Sequence, residues 1–149
     1  MNKILSFIVE SSAKHAWSAT FLIRLFVGWI FIFAGLRKFL EPETMGTGRF
    51  ADMGMPIPNF MAAWVGFWEI AGGLLVLLGI FTRAGSIPLI IVMLVAIWTT
   101  KVPVFVGDGL VDGLHAIRLD FALLVSSTYL LIAGSGSMAI DAILRRNKQ

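Results

Sequence analysis

Four long apolar stretches govern what this chain can become; they run from about Ala19 to Phe39, Phe60 to Ile80, Ala84 to Thr100 and Leu114 to Ala133. Crossing the hydrocarbon core of a bilayer takes about 20 residues of helix, with roughly 17 as the lower limit, and all four qualify. A backbone in hydrocarbon has to satisfy its own N–H and C=O groups, which makes helix the default for each span. The expected fold is therefore all-α: one integral membrane domain over residues 1–149, built as a four-helix antiparallel bundle in contact with membrane lipid.

Composition closes off the alternatives. The chain is 58% hydrophobic and only 14% charged, against roughly a quarter charged in soluble domains, and its mean hydropathy is +0.87. It is not a soluble enzyme, a secreted disulfide scaffold or a disordered tail. Without cysteine it builds no disulfide, thiolate metal site, thioether-linked haem or iron–sulfur cluster. His15 and His115 fall near opposite membrane faces and cannot share one haem, and two histidines cannot form a three-histidine metal site. No metal or haem is expected, so redox chemistry would depend on a bound molecule or a partner. The net charge of +3 comes from basic residues scattered among apolar spans, which argues against a nucleic-acid partner.

The connections differ in kind. Thr82 and Arg83 form almost all of the second, so spans two and three make a tight antiparallel hairpin. The first, Leu40 to Asn59, holds Pro42, Gly46, Gly48, Gly54, Pro56 and Pro58, and a connection of that length is expected to fold over the mouth of the bundle as a lid. The third, Lys101 to Gly113, with Pro103, Gly107 and Gly109, is expected as a loop beside it. Residues 1–9 read as an interfacial segment or a leader into span one rather than as a signal peptide. Basic residues near the span ends divide into Lys3, Lys14, Arg83, Arg145, Arg146 and Lys148 on one side and Arg37, Lys38, Arg49 and Lys101 on the other. That bias predicts both termini in the cytoplasm.

Arg24, Glu69, Arg118 and Asp120 lie inside the spans. A charge at a helix centre costs about 2.5–3.5 kcal/mol on insertion scales, so such groups turn toward protein and find partners. Glu69, nine residues into span two, lies roughly 13 Å deep, near mid-membrane. It shares a stripe with Gly66 and Gly73, and small residues let a second helix come close. On span one, Arg24, Gly28, Phe31 and Gly35 make a matching stripe, with Arg24 a candidate partner for the acid. On span four, His115 and Arg118 share a face near the outer end. Asp120 lies about 200° around the helix from Arg118, so the two cannot face one partner helix. Trp64, Trp68, Phe31 and Phe67 could line an aromatic ligand slot, while Trp64, Trp68 and Trp98 suit packing or an interfacial belt at least as well. Arg24 and Arg118 equally suit snorkelling anchors, and Glu69 a structural ion pair.

Taken in order, several segments make a pattern: Arg24, Gly28, Phe33-Ala34-Gly35 and Lys38-Phe39, then Met53-Gly54-Met55-Pro56-Ile57-Pro58. Glu69-Ile70-Ala71-Gly72-Gly73-Leu74, Gly79-Ile80-Phe81-Thr82-Arg83 and a closing Gly134-Ser135-Gly136-Ser137 with Asp141 complete it. The ordered set resembles the DoxX family over about Phe21 to Asp141. Family members often carry a histidine at the end of the third span, where this chain has Thr100 and Lys101, and an arginine in the terminal glycine motif, where it has Ser137. An acid recurs in the fourth span, and Asp120 matches it. The resemblance implies a four-helix protein of the cell inner membrane, associated with redox systems; the family name comes from a subunit of an archaeal thiosulfate:quinone oxidoreductase.

Three functional classes are open to such a chain. The first is a quinone-binding or quinone-reactive subunit of a redox complex, with quinone as its cofactor and a protein partner supplying or taking electrons. Glu69 and Asp120 would then be the acid–base groups, and Arg24, Trp64, Trp68, His115 and Arg118 would surround the ring. The second is a membrane anchor or scaffold for a partner redox enzyme, without catalysis of its own. The third is a small proton-coupled transporter using the buried acids, for which homo-oligomerisation would make up for a chain shorter than two repeats.

Overall fold

The computed structural model describes residues 3–136, 139 and 140, with backbone alone for residues 3–19. Among the described residues the regular structure is helical. Helix α1 (Lys3–Leu40) contains the span Thr20–Leu40, α2 (Thr47–Asp52) is a short helix in the first connection, and α3 (Pro58–Leu78) is the second span. Helix α4 (Thr82–Ala96) passes through a π-helical turn, Ile97–Lys101, into α5 (Val102–Gly107); together they form the third span, Thr82–Gly107. The fourth is α6 (Leu110–Ala133). Spans of 21, 21, 26 and 24 residues rise about 31–39 Å, enough for a hydrocarbon core of about 30 Å.

Glycine sets how the spans meet. A Cβ on Gly35 would stand 2.7 Å from the Gly66 carbonyl oxygen, and one on Gly28 would stand 2.9 Å from that of Gly73. Helices α1 and α3 therefore touch backbone to backbone along the two stripes read from the sequence. In the same way a Cβ on Gly72 would stand 2.9 Å from the Gly85 oxygen, pinning α3 to α4 near their shared turn. That turn begins at Gly79, whose φ of 71° is the left-handed conformation that closes a helix and that glycine adopts without strain. Helix α6 packs on α4 and, more lightly, on α1. Val27, Phe31, Val76, Leu89, Met93, Leu123 and Leu130 fill the centre. Leu22, Trp29, Ile91, Trp98, Phe121 and Ile132 point outward, an apolar exterior whose solvent is lipid.

The third connection corrects the expectation of a loop from Lys101 to Gly113. Helical structure continues to Gly107, leaving Asp108 and Gly109 between it and α6. Pro103 stands at the start of α5, directly after the π turn, and the helix continues past it. The first connection does fold over the bundle: α2 inserts Phe50, which is buried. Gly46 and Gly48 admit no side chain there, since a Cβ would collide with the Lys38 and Glu43 carbonyls respectively. The side chains of Lys3, Lys14 and His15, together with Ser137, Asp141, Arg145, Arg146 and Lys148, lie outside the described residues.

Candidate functional site

The four spans and the α2 connection surround a cavity of about 970 Å³. Its walls are apolar over most of their extent, with Ile30, Phe31, Val65, Leu75, Val92 and Leu123 among them. Two ion pairs interrupt this lining.

The first joins α1 to α3. Lys38 is one turn beyond Gly35 on the α1 stripe, in the last turn of the helix, and its ammonium donates to Glu69 Oε2 at 2.5 Å. The Glu69 side chain is 3% exposed and that of Lys38 15%, so the charges neutralise one another where lone charges would be costly. The second pair joins the third span to α6: Lys101 Nζ lies 3.3 Å from Asp120 Oδ2, both largely buried. In an uninterrupted α-helix Lys101 would share a face with Leu94 and Trp98, at i+7 and i+3. Both are exposed to lipid. The π turn that ends at Lys101 winds more residues into one turn, delays the rotation and brings the ammonium inward.

One side of the cavity is open. Trp64 on α3 and Ile87, Ile91 and Val95 on α4 all line it, yet each is about half exposed, so the gap between these helices faces the bilayer. Phe60 stacks on Trp64 with ring centroids 6.0 Å apart, and Trp64 meets Trp68 edge-on at 5.7 Å. The lid closes the mouth with Met45, Arg49, Phe50, Met53 and Met55. Beside it the Arg37 guanidinium hydrogen-bonds Glu41, holding that carboxyl below its usual range.

Of the residues expected at a site, Glu69, Asp120, Trp64, Trp68 and Phe31 line this one cavity. All four spans frame it, with α6 contributing Leu119, Asp120 and Leu123. Arg24, His115, Arg118 and Phe67 lie outside it. The partner of Glu69 is Lys38 and not Arg24. With Gly28 against Gly73 and Gly35 against Gly66, Glu69 is level with residues 32–35 of α1, and Arg24 is about 12 Å or more further along the axis. There it is 2% exposed. Its guanidinium donates to the Val76 and Leu77 oxygens at 2.9 and 2.8 Å and to Ser135 O at 2.9 Å, capping the end of α3. On α6, Arg118 bonds to His115 Nδ1 at 2.9 Å on the exposed side. Lys38, Lys101 and Arg49 are site residues that sequence reasoning passed over, although the spacing of Lys38 after Gly28, Phe31 and Gly35 carried the signal.

These features define a multi-pass membrane protein: four spans packed through glycine stripes around a lipid-accessible cavity with two lysine–carboxylate pairs in its wall, one buried at Glu69 and one partly buried. The DoxX family model matches residues 19–102, more than half of the chain. An uncharacterized membrane protein of Mycobacterium tuberculosis, Rv3486, is 39% identical over 130 residues, covering 83% of this chain and 80% of the relative. The protein named "Putative oxidoreductase CatD" of Bacillus subtilis is 32% identical over 131 residues, 87% of this chain and 90% of its own. An uncharacterized protein of Haemophilus influenzae is 33% identical over 121 residues, 80% of this chain and 85% of its own. The chain belongs to the DoxX family. No solved structure matches it.

Proposed function

We propose that this chain is the quinone-binding membrane subunit of a redox system and that the cavity is its ring site. One observation carries the reading: both lysine–carboxylate pairs stand in the wall of a single apolar cavity that opens to lipid. The residues fit such a group. A quinone needs a flat apolar slot, donors for its ring oxygens and a side chain that exchanges protons. Trp64, Trp68 and Phe31 offer the slot, Lys38 and Lys101 the donors, Glu69 and Asp120 the exchange. When bound, the quinone supplies the two-electron, two-proton chemistry that no side chain here provides, and a partner redox enzyme is the other half of the exchange. In each pair a lysine ammonium faces a carboxylate, so a proton donor and a proton acceptor stand side by side in the cavity wall. Glu69 is buried, while Lys101 and Asp120 are partly exposed. The name of the Bacillus subtilis relative points toward oxidoreduction. In this reading the chain lies in the cell inner membrane with both termini cytoplasmic and the lid on the far side, as the basic residues suggest.

The test is extraction and quantification of quinone from the purified protein, beside Glu69→Gln. The variant keeps the shape but removes the proton acceptor. The expected result is bound quinone in the wild type and, in whatever Glu69→Gln protein assembles, a loss of quinone-dependent turnover per assembled complex. Absence of quinone together with unchanged turnover in Glu69→Gln would overturn the reading and favour the anchor.

A further inference from the structure

Four cations line the cavity, and three of them have carboxylates: Arg37 has Glu41, Lys38 has Glu69 and Lys101 has Asp120. Arg49 is different. Among the described residues its bonded partner is the Met45 sulfur, 3.7 Å from a guanidinium nitrogen, and a thioether is a weak acceptor. No carboxylate lies within ion-pair distance of it among the described residues. With Glu41 against Arg37, Glu69 against Lys38 and Asp120 against Lys101, the cations of the cavity wall leave one positive charge over, that of Arg49. Arg49 is also held in place: α2 is fastened by buried Phe50 and by backbone contacts that only Gly46 and Gly48 permit. An exposed guanidinium fork with no carboxylate partner among the described residues thus stands at the mouth of an apolar cavity, where it can receive a negative group through charge-assisted hydrogen bonds.

We infer that the ligand of this cavity is a lipophilic anion, with an oxygen anion held by Arg49 and an apolar body lying along Trp64, Trp68 and Ile91. This rests on the ring-site reading and goes beyond it, since a plain quinone ring is neutral. The anion could be an ionised ring hydroxyl or a lipid headgroup phosphate; the shared chemistry is one oxygen anion on an apolar body.

The full-length protein in phosphatidylcholine nanodiscs separates these sources. Binding of 2-hydroxy-1,4-naphthoquinone, ionised at neutral pH, is compared by equilibrium dialysis with that of 1,4-naphthoquinone, and empty discs are subtracted. A preference of about tenfold or more for the anion, on the scale of one charge-assisted hydrogen bond, that collapses toward one in Arg49→Gln supports the proposal with a ring anion as ligand. Lipid analysis after purification from membranes containing phosphatidylglycerol is the second arm. Phosphatidylglycerol retained by the wild type and lost from Arg49→Gln supports it with a lipid headgroup as ligand. Equal binding of the two rings with no retained anionic lipid overturns the inference and leaves the ring-site reading standing. No binding of either ring and no retained lipid overturns both. Should Arg49→Gln fail to accumulate, Arg49→Met reads the same ratio, because it too removes the charge and the donors. An undiminished preference in that variant counts against the proposal.

Discussion

Replacing Arg24 by methionine removes the bonds that tie span one to the end of α3 and to the segment after α6. Methionine keeps an unbranched, flexible side chain and donates nothing. Three carbonyl oxygens lose the guanidinium: Val76, Leu77 and Ser135. Val76 O keeps the Gly79 N–H at 3.2 Å, so the loss falls mainly on the other two. A buried carbonyl left unsatisfied costs about 1–3 kcal/mol. Removing a cation from a buried place returns part of that, since its own desolvation no longer opposes folding. The net expectation is a loss of about 2–4 kcal/mol, with Arg24→Lys in between because one ammonium cannot serve all three oxygens. Reversible unfolding in mixed detergent micelles, followed by helical circular dichroism, measures it. An Arg24→Met protein within about 0.5 kcal/mol of the wild type, the range of surface substitutions, would refute the cap.

Lys38→Met should destabilise the protein by about 3–5 kcal/mol, because it strands the Glu69 carboxylate, while the double variant with Glu69→Met should recover most of the loss; the same unfolding assay reads both. Gly35→Ala sets a Cβ 2.7 Å from the Gly66 oxygen and should cost about 1–3 kcal/mol by parting α1 from α3. Gly107→Ala, which meets nothing within 4 Å, should leave stability unchanged or slightly raised, so an equal cost at the two positions would contradict the packing.

The four spans were legible because length and apolarity decide them without regard to tertiary detail, and the Gly66–Glu69–Gly73 stripe was legible because helical spacing shows what shares a face. What escaped had a different physical origin. Lys38 looked like an ordinary interfacial cation at a span end, and its place on the glycine stripe mattered only once the α1–α3 register was known. Lys101 was hidden by the π turn: constant helical spacing sends it toward lipid, and no composition signal marks the extra winding. Arg24 caps a helix other than its own, a relation with no local mark in the chain. Arg49 needed the lid to be folded before it had any relation to the cavity.

The gap between α3 and α4 has a thermodynamic consequence for selectivity. A molecule reaching the cavity from the bilayer has already left water, and lipid tails are as apolar as the leucine and isoleucine walls it meets. Moving its hydrocarbon part from one to the other yields little free energy, so the length and bulk of that part are weak grounds for discrimination. In the ring-site reading, its abundance in the membrane, and not in the cytosol, sets how often the cavity is filled. What remains for the protein to choose by is the polar end, where Glu69, Asp120 and Arg49 stand; variation among relatives at those few positions should change what is bound far more than variation along the aromatic wall.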